Sequence, residues 1–112
     1  MNAPRVQQLS ADVCAAPQLD PSAMAWAAQA GFKSVVNNRP DFEGGPGQPT
    51  SAQMQQAAEA AGLTYAYLPV DPAEHTPEQI ASFAKLLKDL PKPILAFCRS
   101  GNRSSMLYRA TL

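Results

Sequence analysis

Three segments of this chain share one order of features: a helical pattern, a glycine or proline that ends it, and a short apolar run. The runs cover residues 34–36, 65–68 and 94–97. Unbroken apolar runs of this length are typical of strands buried on both faces, as in a parallel sheet that helices cover. The alternation therefore predicts an α/β fold, a three-layer sandwich whose mostly parallel central sheet is flanked by helices.

The predicted helices carry recognisable end signals. One begins at residues 20–21 and stops at Gly31, and another begins near Thr50 and stops at Gly62. Both have alanine-rich apolar faces, and glycine is a common residue just past a helix end. The third begins at Thr76, where the sequence Thr-Pro-Glu supplies an N-cap, a proline at the first helical position and an acidic first turn.

Two further elements complete the predicted fold. Residues 6–9 and 13–15 predict a short N-terminal strand or hairpin, and a last helix is expected from about Arg103 or Ser104. Residues 43–50 contain three glycines and two prolines, a composition typical of a mobile loop. A length of 112 residues suits one domain, so we expect residues 1–112 to fold together.

Several classes of protein are excluded by composition and residue counts. No apolar run approaches the ~20 residues that a membrane span requires, and the N-terminus lacks a signal-peptide pattern, so we expect a cytoplasmic protein with no membrane partner. With no Cys-x-x-Cys and a single histidine, His75, the chain lacks the ligands of structural zinc, and no metal or cofactor is predicted. A net charge of zero gives no reason to expect a nucleic-acid partner.

The zero net charge hides an uneven distribution along the chain. Residues 85–112 hold six basic residues and one acidic residue, whereas residues 1–84 hold three basic and eight acidic residues. The basic quarter contains the segment from Cys98 to Ser105, which places a cysteine where a buried strand ends and a helix begins. Ligands of open α/β sheets bind at the carboxyl ends of the strands, and a helix N-terminus there favours an anion. We therefore expect the chemistry of the chain in this loop.

The residue types of the loop fit a reactive thiolate beside a small anion. A helix N-terminus and neighbouring arginines stabilise a cysteine thiolate, so Cys98 is the candidate nucleophile. Gly101 allows a turn through positive φ that points successive N–H groups inward, and Arg103 offers a planar fork for bidentate anion binding. A serine hydroxyl after Arg103 could also donate to the sulfur. The other substrate-binding candidates in the loop are Arg99, Ser100, Asn102 and Ser104. The competing interpretation is a structural cysteine beside a solvent-exposed helix start.

The loop from Cys98 to Ser104 resembles the active-site loop of single-domain rhodaneses. The whole chain resembles a bacterial phosphatase-like domain family related to β-lactamase hydrolase-like proteins, through residues 31–41, 60–65, 68–70, 76–78 and the cysteine loop. Members of that family occur alone or fused to metallo-β-lactamase-fold hydrolases. The resemblance implies a dual-specificity-phosphatase-like fold and a small anionic substrate: thiosulfate, a persulfide or a phosphoester. It also implies fusion to, or association with, such a hydrolase or a sulfide-oxidising enzyme.

The spacing between cysteine and arginine separates two reactions that the resemblance allows. Four residues lie between Cys98 and Arg103, as in rhodanese-like loops, whereas tyrosine and dual-specificity phosphatases resemble one another in having five. Phe97 also stands where phosphatases commonly have a histidine. The first hypothesis is therefore sulfur transfer. Cys98 would take the outer sulfur of thiosulfate or a low-molecular-weight persulfide, while Arg99 and Arg103 hold the anionic end of the donor.

Phosphoester hydrolysis through a cysteinyl phosphate is the alternative reaction. It needs a general acid, and Asp71, which follows the predicted strand at residues 65–68, has a position similar to the acid of dual-specificity phosphatases. The competing interpretation of Asp71 is an ordinary Asp-Pro turn before a helix. A third hypothesis is a noncatalytic module that binds a phosphorylated or sulfur-carrying partner, and the intact Cys98 and Arg103 argue against it.

Residues outside the loop supply further candidates. Arg39 follows a predicted strand, and it could either bind substrate or hold Asp41 and the loop after it in place. Cys14 is interpreted as a small buried hydrophobe, and a resolving role toward an oxidised Cys98 would depend on their proximity. Residues 37–38 are predicted to form a turn.

Overall fold

A computed structural model of the chain describes residues 4–112, which form five strands and four helices. In chain order these elements are β1 (Gln7–Gln8), β2 (Val13–Ala16), α1 (Ala23–Gln29), β3 (Ser34–Asn37), α2 (Ser51–Ala60), β4 (Thr64–Tyr67), α3 (Pro77–Asp89), β5 (Ile94–Phe97) and α4 (Asn102–Ala110). Strand and helix alternate from β2 onwards, which confirms the predicted α/β class. Within residues 4–112, no helix is long and apolar enough to cross a membrane.

The strands form one mixed sheet in the order β1-β2-β5-β3-β4. The four longer strands run parallel, and β1 pairs antiparallel with β2 as the short hairpin that the sequence predicts. Strand β5 lies between β2 and β3, with Leu95 opposite Cys14 on one side and Val35 on the other. The residue that follows β5 is therefore placed at the middle of the carboxyl edge of the sheet.

Helices cover both faces of the sheet, because successive side chains of a strand point to opposite sides. Val35 and Leu95 pack with α1 and α2, in a cluster that includes Met24 and Met54. Val36 and Ala96 pack on the other face with α3 and α4, in a cluster whose buried members are Val36, Val70, Phe83, Ile94, Ala96 and Leu107. The predicted three-layer arrangement is confirmed.

Side-chain caps fix where two of the helices begin. Thr50 and Thr76 accept hydrogen bonds from the backbone N–H groups of the residues three positions later, at 3.2 and 3.1 Å. In both helices the glutamine at that later position bonds back to the threonine N–H, which completes a capping box. The predicted start of α1 at residues 20–21 is wrong, because the Asp20 carboxylate accepts the Ser22 N–H at 2.9 Å and forms a local turn before the helix.

Strand β4 differs from the prediction that it is buried on both faces. Thr64 and Tyr67 are exposed, and the two residues between them are half-buried. The reason is its place in the sheet, since β4 is an edge strand and pairs only with β3 among the described residues. An apolar run in the sequence does not show whether its strand is central or at an edge.

Candidate active site

Cys98 follows β5 directly and is 1% exposed. Its N–H donates to the Ala16 carbonyl at the end of β2 (3.3 Å), and the Asn38 N–H beyond β3 donates to the Phe97 carbonyl (2.8 Å). These bonds extend the parallel pairing past the last regular strand residue. Cys98 is thereby held between its two neighbours, at the edge of the sheet where ligands of α/β folds bind.

Gly101 joins the cysteine loop to helix α4. Its φ of +90° lies in the left-handed region, and a Cβ at this position would lie 3.2 Å from the Ala16 carbonyl carbon. Both the turn and the close approach therefore favour glycine. The Gly101 N–H donates to the Cys98 sulfur at 3.1 Å. A backbone donor and the adjacent start of a helix both stabilise negative charge on the sulfur.

The remaining loop residues divide into two groups. Arg99, Ser100 and Asn102 are exposed, and their role in substrate binding stays a prediction. Ser104 is buried, and its hydroxyl donates to the Asn38 side-chain oxygen at 2.8 Å. The next hydroxyl, that of Ser105, donates to the Gly101 carbonyl at 2.8 Å. Neither hydroxyl donates to the Cys98 sulfur, and the Ser104 hydroxyl is engaged in joining α4 to the end of β3.

The prediction that Asn37 and Asn38 form a turn is wrong, because Asn37 is the last residue of β3 and the Asn38 N–H continues the pairing with β5. Both are buried, and the Asn38 amide donates to the Leu68 carbonyl beyond β4 at 3.0 Å. The Asn37 amide donates to the Tyr65 hydroxyl at 3.0 Å. Asn38 thus links β4, β3 and α4, which fixes the loops after these elements relative to one another.

Arg103 lies in the first turn of α4 and is 7% exposed. Its Nη1 donates to Glu43 Oε2 and to the Val70 carbonyl, both at 3.0 Å, and its Nη2 donates to Glu43 Oε1 at 3.1 Å. Glu43 therefore occupies the end of the guanidinium that carries the two terminal nitrogens. Such a bidentate pair fixes the plane of the guanidinium as well as its position.

The free donors of Arg103 lie along one edge of its guanidinium. A guanidinium has five N–H donors, and the contacts to Glu43 and Val70 use three of them. The Nε–H and one Nη2–H remain, and these two bonds point in the same direction. Nε is buried and has no hydrogen-bond partner among the described residues. Because a buried donor without a partner costs about 1–3 kcal/mol, this edge fits a ligand oxyanion that would bridge both donors.

Glu43 also contacts a second buried arginine. Arg39 Nε donates to Glu43 Oε1 at 3.0 Å, and Arg39 Nη1 donates to Gln18 Oε1 at 3.2 Å. Two arginines therefore share one carboxylate, which leaves one positive charge in excess in a mostly buried cluster. Buried charge without a partner is costly, so this excess favours an anionic ligand. The contacts of Arg39 to Glu43 and Gln18 are those of a residue that holds the loop after β3 in place. Its Nη2 belongs to the same cluster of side chains.

The sequence does not predict the position of Glu43 and indicates only a mobile loop at residues 43–50. In the structure the loop is tied down, because Gln48 accepts the Gly44 N–H at 2.7 Å and donates to the Pro40 carbonyl at 2.9 Å. A Cβ at Gly44 would lie 2.7 Å from Arg39 Nη2, so glycine permits the close packing. The contact from Glu43 to Arg103 joins residues 60 positions apart, and no local sequence pattern predicts it.

The acidity of Glu43 makes this cluster sensitive to pH. Burial acts to raise the pKa of the Glu43 carboxyl, but hydrogen bonds from Arg103 and Arg39 and their positive charges outweigh it, and the pKa is lowered. A group whose pKa is lowered by folding stabilises the folded state above its ordinary pKa. That contribution is lost as the pH falls from the ordinary value of 4.5 through the lowered one.

Replacement of Glu43 by glutamine is therefore expected to lower the free energy of unfolding at pH 7 by about 1–3 kcal/mol. The difference from the unmodified chain should shrink steadily once the pH falls below the ordinary pKa of glutamate. Urea unfolding of both proteins at neutral and acidic pH measures it. Glu59→Gln is the matched control, since Glu59 is exposed on α2, and it should change little. A deficit for Glu43→Gln that is independent of pH would contradict the ionic role.

Asp71 follows a residue that is part of the site. The Val70 N–H donates to the Asn38 carbonyl at 3.0 Å, and the Val70 carbonyl accepts from Arg103. Asp71 itself is exposed, and one carboxylate oxygen accepts the Ala73 N–H at 2.7 Å. Its backbone is therefore anchored beside Arg103, while its side chain forms the start of a turn.

Cys14 is too far from Cys98 to form a disulfide with it. The parallel register places Cys14 opposite Leu95, three residues before Cys98. Three residues of strand span about 10 Å, whereas a disulfide needs Cα atoms within about 7 Å. Cys14 is half-buried, and burial raises the pKa of its thiol. The geometry does not support a resolving role.

A cavity of about 560 Å³ borders the cysteine loop from the β1–β2 side. Its lining consists of Arg5, Val6, Gln7, Ala15, Ala16, Pro17, Ser100 and Gly101. Neither Cys98 nor Arg103 is part of that lining. The cavity therefore contacts the cysteine loop through Ser100 and Gly101 and does not include the free donors of Arg103.

Comparisons with known proteins find relatives over almost the whole chain. Residues 5–111 match the family model described as "Beta-lactamase hydrolase-like protein, phosphatase-like domain". A curated beta-lactamase hydrolase-like protein of Agrobacterium fabrum is 41% identical over 78 residues, which is 70% of this chain and 18% of that protein. The chain thus spans less than a fifth of the length of this relative.

Solved structures share the fold. A crystal structure of a putative phosphatase from Neisseria meningitidis has a TM-score of 0.84 and 34% identity, and covers 90% of this chain and 71% of its own. The P. aeruginosa protein TpbA, crystallised in complex with pTyr, has a TM-score of 0.68 and 15% identity, and the match covers 91% of this chain and 58% of TpbA. At that identity the second likeness concerns the fold alone.

Proposed function

The chain belongs to the phosphatase-like domain family of the beta-lactamase hydrolase-like proteins, as its cysteine loop and flanking segments predict, and we propose that it hydrolyses phosphoesters through a cysteinyl phosphate on Cys98. The spacing in the loop by itself favours sulfur transfer over phosphoester hydrolysis. The family and the putative phosphatase from Neisseria support the opposite order. The observation that carries the proposal is the free edge of Arg103, a buried fork for an oxyanion beside the start of α4.

Each step of the proposed reaction has a residue for it. The Cys98 thiolate attacks phosphorus and forms an S–P bond as the bond from phosphorus to the leaving-group oxygen breaks. Asp71 protonates that oxygen as it leaves. Water then attacks the cysteinyl phosphate, gives a proton to Asp71, and releases inorganic phosphate and the Cys98 thiolate. Arg103 binds the phosphoryl oxygens in both steps. Glu43 fixes the orientation of the Arg103 guanidinium plane through two hydrogen bonds.

The short loop still supports sulfur transfer as a second candidate. With four residues between Cys98 and Arg103, the ring offers one backbone N–H fewer than the phosphatase loops that it resembles. A smaller ring suits the terminal sulfur of thiosulfate or a persulfide. In the phosphatase reaction, Arg103 would have to supply a larger share of the oxyanion contacts. Both reactions use the same thiolate, so the covalent intermediate distinguishes them.

Mass spectrometry of that intermediate tests the proposal. The chain is mixed with p-nitrophenyl phosphate, or in parallel with thiosulfate, then quenched in acid and analysed intact and as peptides. We expect release of p-nitrophenol and a phosphoryl group on the peptide that contains Cys98. A persulfide on Cys98 after thiosulfate, with thiocyanate formed from added cyanide and no phosphoryl adduct, would establish sulfur transfer instead.

Asp71→Asn tests the general acid separately from the nucleophile. We expect kcat/KM, which reports formation of the cysteinyl phosphate, to fall about 100-fold for an alkyl phosphate, whose leaving group needs a proton, but by less than about threefold for p-nitrophenyl phosphate. Steady-state kinetics on both substrates measure this contrast. Asp12→Asn, at an exposed aspartate in the β1–β2 turn, is the control. Unchanged kinetics on both substrates would assign Asp71 to the turn alone.

A second domain is the partner that the length of the relatives suggests. This chain matches 18% of the Agrobacterium protein, whose printed name is a beta-lactamase hydrolase-like protein. We therefore propose fusion to, or association with, a metallo-β-lactamase-fold hydrolase or a sulfide-oxidising enzyme. Co-elution of this chain with such a hydrolase on size-exclusion chromatography would support association, and two separate peaks would contradict it.

A further inference from the structure

We propose that Phe42 and Tyr67 form an aromatic rim that selects substrates in which the phosphoryl group is attached to an aromatic ring. This inference rests on the proposed function, because it assigns the part of the substrate beyond the anion. Phe42 is 66% exposed and Tyr67 is 38% exposed, and both belong to the loops or strand ends at the carboxyl edge of the sheet.

Phe42 has an unusual backbone for its residue type. Its φ of +64° is the single positive value at a residue other than glycine among residues 4–112. A bulky side chain adopts this region at a cost, whereas asparagine or glycine adopts it readily. Because the ring is exposed to water, burial of apolar surface does not offset the cost of this backbone conformation. A residue that is both strained and exposed fits a contact made with a ligand.

The two residues that flank Phe42 fix its position relative to the site. On one side, the Asp41 N–H donates to the Tyr67 hydroxyl at 2.8 Å, and an Asp41 carboxylate oxygen accepts the Ser51 N–H at 2.7 Å. On the other side, Glu43 holds the guanidinium of Arg103. Phe42 thus lies between a residue bonded to Tyr67 and a residue bonded to the anion-binding arginine. Its Cα is one residue from both anchors, which is ~3.8 Å along the chain.

This placement suits an aryl leaving group. Cys98 and Arg103 are buried, so the substituent of a bound phosphoryl group extends outward to the surface, and the loop that contacts Arg103 through Glu43 carries the exposed Phe42. A flat ring at that point can pack against aromatic side chains in an edge-to-face or offset arrangement. A methyl or other small alkyl group is too short to reach them. The rim therefore favours aryl over small alkyl substituents without any change at the anion site.

Binding of two phosphonates tests the rim without relying on turnover. Phenylphosphonate and methylphosphonate carry the same anion, and neither has a leaving group. Isothermal titration of the full chain should show phenylphosphonate bound more tightly. In Phe42→Asn, which accepts the same backbone conformation, that advantage should fall about 5- to 10-fold while methylphosphonate binding is unchanged. Phe42→Trp should retain the preference.

Leu112→Asn is the matched control, since it removes an apolar side chain that is 86% exposed beyond the opposite end of α4. It should alter neither affinity, and circular dichroism checks that each variant is folded. If Phe42→Asn weakened the binding of both phosphonates equally, the substitution would be acting through Glu43 and Arg103 at the anion site. That result would contradict the aromatic rim. An unmodified chain that lacks a phenyl preference, or binds neither phosphonate, also overturns it. If the chain binds phenylphosphonate selectively but forms no cysteinyl phosphate, the proposed hydrolysis is rejected. The assignment of the aromatic rim is then retained.

Discussion

Replacement of Cys98 by serine is expected to lower the turnover of p-nitrophenyl phosphate by at least about 10⁴-fold and to leave the fold intact. The serine hydroxyl is far less nucleophilic than a thiolate, and the Gly101 N–H and the start of α4 cannot ionise it at neutral pH. The smaller hydroxyl can still accept that N–H, so the loop should keep its shape. The readouts are the steady-state rate, the phosphonate affinity and the thermal midpoint.

Cys14→Ser is the matched control for this substitution. Cys14 lies on β2 opposite Leu95, and burial raises the pKa of its thiol, so little thiolate forms there at neutral pH. The variant should keep the activity of the unmodified chain, with a small loss of stability from a polar hydroxyl in a half-buried position. Equal loss of activity in both cysteine variants would show that the effect is structural. Retained turnover in Cys98→Ser would remove the covalent mechanism.

The sequence predicts the central part of the fold well for a physical reason. Strand β5 spans Ile94–Phe97, the predicted run, because its two faces are covered by different helices and each residue must be apolar. Helix α3 begins after Thr76 because the capping signal is local to a few residues. The exposure of β4 depends on its place at the edge of the sheet, which a local pattern does not contain. The start of α1 is shifted by a local turn between Asp20 and Ser22, which competes with the first turn of the helix.

The site divides in the same way between local and distant contacts. Cys98, Gly101 and Arg103 lie within six residues, and the turn that joins a strand to a helix brings them together, so their pattern is visible in the sequence. Glu43 reaches Arg103 from a loop 60 residues away, and the Asn38 contact to Ser104 spans 66 residues. Local spacing does not encode such contacts. The tertiary structure is needed to show what orients the arginine.

Arg103→Lys is expected to lower kcat/KM for p-nitrophenyl phosphate about 1,000-fold, and a rise in KM should contribute to that loss. A lysine retains the positive charge but lacks the planar fork. It cannot satisfy Glu43 and the Val70 carbonyl while it also presents two parallel donors to an oxyanion. Since the Glu43 carboxylate loses its bidentate partner, the free energy of unfolding should also fall by roughly 2 kcal/mol.

Arg109→Lys is the matched control for Arg103→Lys, because Arg109 is exposed in the last turn of the same helix. That variant should keep full activity and stability, which separates the geometry of Arg103 from the net charge of α4. Combining Arg103→Lys with Glu43→Gln should destabilise the chain by less than the sum of the single changes, since both act on one ion pair. If Arg103→Lys retained kcat/KM within about threefold, charge alone would be sufficient, and the free edge of the guanidinium would not be the oxyanion site.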